Sequence, residues 1–405
     1  SFVSRMNKGA ACIVANLEEG EREVSERGKT TAMVRHAKDT INRLLSAAGI
    51  TVNGHQPWDI RVHDDAFYGA VLSKGSLGLG ESYMYQQWDC ERLDDFFTRI
   101  LLADADNHIK KNFRFKADIL LARLLNYQTP SRAYRNGSAH YDTGNDLFEV
   151  MLDKRMTYTC AFWENANTLD AAQENKLDLS CRKLQLRPGM HVLDIGCGWG
   201  SFAKFAAEEY GVKVTGITIS KEQAELARER CKGLPVDIRL TDYRMVHESF
   251  DAIVSLGMFE HVGYKNYDSY MRMAHRCLKD DGLFLLHTIG GNTAHTFTDR
   301  WLNKYIFPNA MIPTIRLIGQ FIEGLFVMEH WQNFSVDYDR TLLAWYDNIW
   351  QNWDQLKATY DQTFFRMWKY YLLSCAGSFR ARKSQLWQIV LSKNGVPGGY
   401  RFKEA

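Results

Sequence analysis

The chain has 405 residues, 45% of them hydrophobic and 24% charged, with seven prolines and a formal net charge of +2. Such a chain can bury one or two substantial cores, and its near-neutral balance excludes a uniformly basic, nucleic-acid-coating protein, so any basic patch must be local. Eight cysteines (Cys12, Cys90, Cys160, Cys181, Cys197, Cys231, Cys277 and Cys375) are scattered without a CxxC pair, which speaks for reduced thiols and against a thiolate zinc site or a disulfide framework, so no metal is expected.

Residues 1–37 are charge-rich and read as a loose segment. Lys8 precedes a short apolar run from Ala10 to Leu17, but Asn16 and a dense charged run interrupt it. A frayed terminus is therefore expected there, not a signal peptide. No apolar run reaches the ~18 residues of a spanning helix. From Asp39 to Gly49 the spacing of Ile41, Leu44, Leu45 and Ala48 predicts a helix closed by Gly49. Ile50 to Val62 reads as short strand and turn. The cluster Gly75-Ser-Leu-Gly-Leu-Gly80 lacks a strand–helix frame and reads as a loop before a helix over Trp88–Leu102.

Between residues 107 and 135, seven cations (Lys110, Lys111, Arg114, Lys116, Arg123, Arg132, Arg135) face one acid, Asp118, with an apolar face from Ile109, Phe113, Leu120, Leu121, Leu124 and Leu125. Two readings stand: a basic amphipathic helix lying on an anionic bilayer, or a domain helix with a solvated basic face. Pro130 and Gly137 mark 127–138 as a domain joint.

From about residue 170 the chain alternates helices and strands: helix Asp170–Leu184, strand Val192–Ile195, helix Ser201–Glu209, strand Val212–Ile219, helix Lys221–Cys231, strand Val236–Leu240, strand Phe250–Leu256, helix Tyr267–Leu278 and strand Gly282–Thr288. Regular alternation of this kind predicts an α/β fold with a doubly wound, parallel sheet that binds ligands at the carboxyl ends of its strands. The first strand runs into Gly196-Cys-Gly-Trp-Gly200 and a helix, a turn at which a ligand can approach the backbone. The glycine spacing is not that of the dinucleotide fingerprint, and the second strand ends Thr218-Ile219-Ser220 without the acid that binds an NAD ribose. Gly200-Ser201-Phe202 lacks the Lys-Ser/Thr pair of a phosphate loop.

Val192–Gly200, the fourth strand and Leu278-Lys-Asp-Asp-Gly282 together resemble class I S-adenosylmethionine-dependent methyltransferases. That resemblance implies a Rossmann-like class I methyltransferase fold in which the glycine turn meets the amino-acid end of the cofactor. Thr218 and Gln223 would meet its ribose, and Asp242 and Tyr243 would flank its adenine. Further motifs narrow the likeness: His140-Tyr-Asp-Thr-Gly-Asn-Asp-Leu-Phe148, Tyr158-Thr-Cys-Ala-Phe-Trp163, Gly257-Met-Phe-Glu-His-Val-Gly263, Leu286-His-Thr-Ile-Gly290, Asp337-Tyr338-Asp339 and Cys375-Ala-Gly-Ser-Phe-Arg380. All are similar to cyclopropane-fatty-acyl-phospholipid synthases, over roughly residues 40 to 392.

The resemblance implies a smaller, largely helical N-terminal domain (38–130) with a lipid-binding or accessory role. A catalytic domain (131–405) with a helical aromatic lid at about 295–375 would follow. It implies S-adenosyl-L-methionine at Tyr158, Thr159, Asp194, Gly196, Cys197, Gly198, Gly200, Thr218, Ser220, Gln223, Asp242, Tyr243 and Arg244. It implies a bicarbonate ion at Cys160, Glu260, His287, Ile289 and Tyr338, which receives the proton lost on ring closure. Cys375 joins the catalytic candidates as a site-adjacent thiol, because thiolate attack needs an electrophilic carbon and a simple alkene is not one. Unsaturated phospholipids at a membrane surface, a cytoplasmic location on the inner leaflet, and a homodimer are further implications, with no role for nucleic acid.

Taken singly, each catalytic residue has a plainer reading. Glu260-His261 can cap a helix, His287 can be a core histidine, Tyr338 can be exposed between two acids, and Cys160 can be packed. The aromatic stretch 301–371 can equally be an ordinary helical cap, and Ile315, Ile318, Phe321, Ile322 and Leu325 recur at the spacing of a packing helix. Two rival functions remain at this stage: methyl transfer to a small molecule or nucleic acid, which needs no vesicles, and a catalytically dead lipid-binding scaffold, which would ignore substitution of Glu260 or His287.

Overall fold

A computed structural model describes residues 38–103, 144–293 and 299–402. The segment 1–37, the basic stretch 107–135, the joint at 127–138 and residues 140–143 lie outside the described residues. The chain divides into two compact units between Arg92 and Leu93.

In the first unit, helix α1 (38–47) ends as expected at Gly49, whose φ of 68° only glycine adopts at no steric cost. Strands β1 (Ile60–Val62) and β2 (Trp88–Cys90) pair antiparallel, Ile60 opposite Cys90 and Val62 opposite Trp88. Between them lie α2 (Ala66–Lys74) and α3 (Ser76–Met84). From Ser76 onward the glycine cluster is thus helix and not loop, with Gly75 as the turn before it, and Trp88 opens a strand and not a helix. Close packing is the reason: a Cβ on Gly78 would sit 2.0 Å from the Ala70 carbonyl oxygen, so the glycine lets α2 and α3 approach. Trp88 is fully buried and its indole donates to Ser82 Oγ at 3.0 Å.

The second unit begins with α4 (Leu93–Leu102), α5 (Asn145–Met151) and α6 (Leu169–Lys183). Seven strands follow: β3 (His191–Ile195), β4 (Lys213–Thr218), β5 (Val236–Leu240), β6 (Phe250–Leu256), β7 (Leu278–Gly290), β8 (Val327–Asn333) and β9 (Gln385–Ser392). They form one sheet in the order β5-β4-β3-β6-β7-β9-β8. The first five are parallel, while β9 runs antiparallel to both β7 and β8. Interleaved are α7 (Ser201–Tyr210), α8 (Lys221–Arg230) and α9 (Tyr267–Cys277), then α10 (Arg300–Tyr305), α11 (Ile315–Ile322), α12 (Val336–Gln351), α13 (Trp353–Leu356) and α14 (Gln362–Arg380).

Both faces of the sheet are covered, so its central strands are apolar on both sides. Leu193, Ile195, Ile253, Phe284 and Leu286 pack on α9 and α11; Val192, Val214, Ala252, Val254, Leu283 and Leu285 pack toward α6, α7 and α8. Alternate residues take opposite sides, as the strand period requires.

Two expectations for the aromatic region need correction. It is not wholly helical, because 327–333 is the edge strand β8. Ile315, grouped with packing residues, is half exposed, whereas Ile318 and Ile322 are buried against the sheet. The unit is also tied by an ion cluster. Arg380 on α14 grips both oxygens of Asp339 (2.8 and 3.0 Å) and donates to Asp94 (2.8 Å) and Asp95 (2.6 Å) of α4.

Candidate active site

At the carboxyl ends of β3, β4 and β6 lies a pocket lined by eleven of the expected cofactor residues: Tyr158, Thr159, Asp194, Gly196, Cys197, Gly198, Thr218, Gln223, Asp242, Tyr243 and Arg244. The glycine turn is held by the Gly196 and Cys197 amides, both donating to the Ile217 carbonyl at 2.9 Å. Gly196, Gly198 and Gly200 have φ of 80°, 54° and 80°, a left-handed region closed to most side chains. A Cβ on Gly196 would meet Met258 at 2.7 Å, while on Gly198 it would meet nothing within 4 Å.

Gly200 and Ser220 do not line the pocket. Gly200 caps α7, and a Cβ there would press on Cys231 Sγ at 3.0 Å. Ser220 caps α8, its hydroxyl accepting from the Gln223 amide. It thereby orients Gln223, whose Oε1 accepts from the Thr218 hydroxyl at 2.9 Å. On the far side Asp242 accepts from the Arg244 amide (2.9 Å) and guanidinium (2.8 Å). Asp194 is buried with Oδ2 unpartnered, and desolvation raises its carboxyl to about 7.

The second constellation lies off the pocket wall. Glu260 follows β6 in a single 3₁₀ turn, and its Oε1 accepts from the Ile289 amide at 2.6 Å. Among the described residues its Oε2 is buried without a hydrogen-bond partner, and desolvation raises the carboxyl to about 7. His287, two residues before Ile289 on β7, is fully buried. Burial holds its imidazole well below the usual range, so it is neutral, and Nε2 has no hydrogen-bond partner among the described residues. Tyr338 is buried as well; burial chiefly, then the neighbouring Cys160, Glu260, Tyr158 and Cys375, raises its hydroxyl well above the normal range. Cys160 is a packed thiol donating to the Ala161 carbonyl, and burial pushes it up. Desolvation likewise pushes the Cys375 thiol up to about 12.

Sequence reasoning missed several neighbours. His261 lines the pocket, with desolvation lowering it to about 4. Helix α6 buries Gln173, Lys176, Ser180 and Lys183, a polar stripe at helical spacing. Lys176 donates to Thr159 Oγ1 at 2.8 Å, and burial lowers its ammonium to about 8. The Trp345 indole nitrogen is a buried donor without an acceptor, its ring 6.0 Å from that of Tyr338. The only sequence trace of the stripe is polar spacing on a helix, which ordinarily marks a solvated face.

A five-stranded parallel sheet carrying an antiparallel β9, with a pocket over a glycine turn at its carboxyl edge, defines a class I S-adenosylmethionine-dependent methyltransferase. The mycolic acid cyclopropane synthetase family model matches residues 128–389. The Escherichia coli (strain K12) cyclopropane-fatty-acyl-phospholipid synthase is 53% identical over 360 residues, 89% of this chain and 94% of that protein. Among solved structures, the cyclopropane synthase MmaA2 from Mycobacterium tuberculosis matches with a TM-score of 0.62 and 33% identity, covering 66% of this chain and all of that one. Mycolic acid cyclopropane synthase CmaA1, complexed with SAH and CTAB, matches with a TM-score of 0.60 and 34% identity, over 64% of this chain and 98% of that one. The chain belongs to the cyclopropane synthase family of S-adenosylmethionine-dependent enzymes.

Proposed function

We propose that this enzyme converts cis double bonds in the acyl chains of membrane phospholipids into cyclopropane rings, with a buried bicarbonate ion collecting the proton. One observation carries the reading. Glu260 Oε2 and His287 Nε2 are both buried polar atoms without a partner, and Ile289 links their surroundings by donating to Glu260 from the strand that bears His287. Buried polar groups are ordinarily hydrogen-bonded, so an acceptor and a donor orphaned in one neighbourhood mark a place for a small polar ligand. A small anion with one hydroxyl suits the pair: a neutral imidazole can donate to it, and a carboxylate can accept from it.

S-adenosylmethionine supplies the methyl group when bound. The chain's own residues do the rest. Gly196 and Gly198 bring the backbone close to the cofactor, and Thr218, Gln223, Asp242 and Arg244 border the remainder of its pocket. An alkene is a poor nucleophile, so it must be held in line in a dry slot. The rings of Tyr158, Trp345, Tyr338 and Phe379 form a chain of contacts in that order, with successive centroids 5.2, 6.0 and 4.6 Å apart, an apolar wall whose faces can stabilise a passing cation. Glu260, His287 and Tyr338 hold the base that takes a proton from the newly added methyl.

The name of the Escherichia coli relative supports phospholipid as substrate. No helix among the described residues is long and apolar enough to cross a membrane. The basic stretch 107–135 supports attraction to an anionic surface, and the family likeness supports a cytoplasmic, peripheral homodimer whose N-terminal domain assists lipid binding. Vesicles of unsaturated phospholipid incubated with S-adenosylmethionine should show lipids gaining one CH₂ and losing the alkene, with turnover falling in carbonate-free buffer and returning with bicarbonate. A product that gains CH₂ but keeps its double bond would refute ring closure.

A further inference from the structure

Two strands place amide side chains in a row leading away from His287 on a third. On β7, His287 stands opposite Gln388 of β9, which stands opposite Gln332 of β8. Over this row lies the end of α6. The Lys183 ammonium donates to Gln388 Oε1 at 2.8 Å and also to Gln332 Oε1. Gln388 Nε2 lies 3.1 Å from Ser180 Oγ and 3.3 Å from His287 Nδ1. Lys183, Ser180, His287 and Gln388 are all buried.

The orientation of the Gln388 amide is determined twice. An ammonium can only donate, so the atom facing Lys183 must be the amide oxygen. The Ser180 hydroxyl spends its proton on the Lys176 carbonyl at 2.8 Å, so its oxygen is free to accept, and the atom facing it must be the amide nitrogen. That nitrogen has a second hydrogen, directed to His287 Nδ1. An imidazole nitrogen that accepts carries no proton, so the one proton of neutral His287 sits on Nε2, the atom without a partner.

We infer that Gln388, locked by Lys183 and Ser180, is a positioning residue that sets the tautomer of His287 so that Nε2 presents an N–H to the anion site. The geometry alone carries the tautomer. Its catalytic meaning rests on the bicarbonate reading above. The arrangement also explains why the last part of the α6 stripe, Ser180 and Lys183, is polar: apolar residues there would leave the amide free to flip, and a flipped amide would draw the proton to Nδ1 and turn a lone pair toward the anion. Lys183, Ser180 and Gln388 thus act on the reaction without touching it.

The test is nitrogen-15 NMR of histidine-labelled protein, with His287 assigned from the spectrum of His287→Asn. The wild type without bicarbonate should show His287 protonated at Nε2; a proton on Nδ1, or exchange between both nitrogens, would overturn the inference and leave the anion site standing. In Gln388→Glu both side-chain oxygens accept, and the Lys183 ammonium neutralises the new carboxylate. The imidazole should then stay neutral and move its proton to Nδ1. The KM for bicarbonate should rise at least tenfold, the scale of one lost hydrogen bond to a charged group, with S-adenosylhomocysteine affinity retained as the sign of an intact fold. If the proton moves and bicarbonate dependence does not, the tautomer assignment holds and the bicarbonate role of His287 falls. Should that variant fail to fold, the wild-type spectrum decides the matter alone.

Discussion

Glu260→Gln should exchange activity for stability in a pH-dependent way. The wild-type carboxyl is raised by desolvation from its ordinary 4.5 to about 7. The native state therefore holds this proton more tightly than the unfolded chain does. Its contribution to stability is complete below 4.5, is lost as the pH rises through the interval to about 7, and is constant above. The interval corresponds to about 3 kcal/mol, most of it falling between pH 5 and pH 8. Glutamine cannot ionise, keeps an oxygen for the Ile289 amide, and adds an unpartnered NH₂ where Oε2 lies, at a cost of about 1–3 kcal/mol at every pH. The constant cost cancels in a comparison between pH values. Urea unfolding of both proteins in carbonate-free buffer should thus show the variant gaining about 2–3 kcal/mol on the wild type between pH 5 and pH 8, while turnover falls at least a hundredfold. A variant whose stability relative to the wild type stays constant or falls as the pH rises from 5 to 8 would refute the assignment of Oε2 to an unsolvated, anion-free site.

Gly196→Ala forces a side chain onto Met258 at a left-handed φ and should abolish cofactor binding by calorimetry. Gly198→Ala has space and should cost only about 1 kcal/mol of stability while weakening cofactor affinity through the methyl placed in the pocket. Arg380→Met removes the cation shared by Asp94, Asp95 and Asp339 and leaves buried Asp94 without it. A loss of about 3 kcal/mol in denaturant unfolding is expected, with Asp339→Asn losing less. Cys375→Ser should keep at least half the turnover, because a thiol pushed up to about 12 is not a thiolate at neutral pH; complete loss with normal cofactor binding would make it a catalytic group.

The helices and parallel strands of the methyltransferase core were legible because their signals are local. Strands β5 (Val-Asp-Ile-Arg-Leu) and β6 (Phe-Asp-Ala-Ile-Val-Ser-Leu) begin and end on apolar residues, and the glycine turn is marked by the strand before it and the helix after it. β8 was not legible: Val-Met-Glu-His-Trp-Gln-Asn has no clean alternation, because an edge strand half open to solvent needs none. The Gly75–Gly80 helix was hidden because glycine disfavours helices, and only the approach of a second helix makes its missing Cβ an advantage. Eleven of the residues that the motifs single out line one pocket, whereas no motif marks the buried polar stripe of α6. Its residues look solvated until Thr157 and Thr159 meet Gln173 and Lys176, and β8 and β9 meet Ser180 and Lys183.

By itself the sequence determined the glycine turn after β3, the apolar faces of the core helices and parallel strands, and thereby the ligand-binding edge of the sheet. Only the tertiary structure decided which polar groups meet: Glu260 with the amide of Ile289, and Lys183 with Gln388, 205 residues away. Backbone conformation and amphipathic period are set by neighbours within a turn or two. A hydrogen bond between distant side chains depends on strand register and on what excludes water, and neither leaves a mark in local spacing.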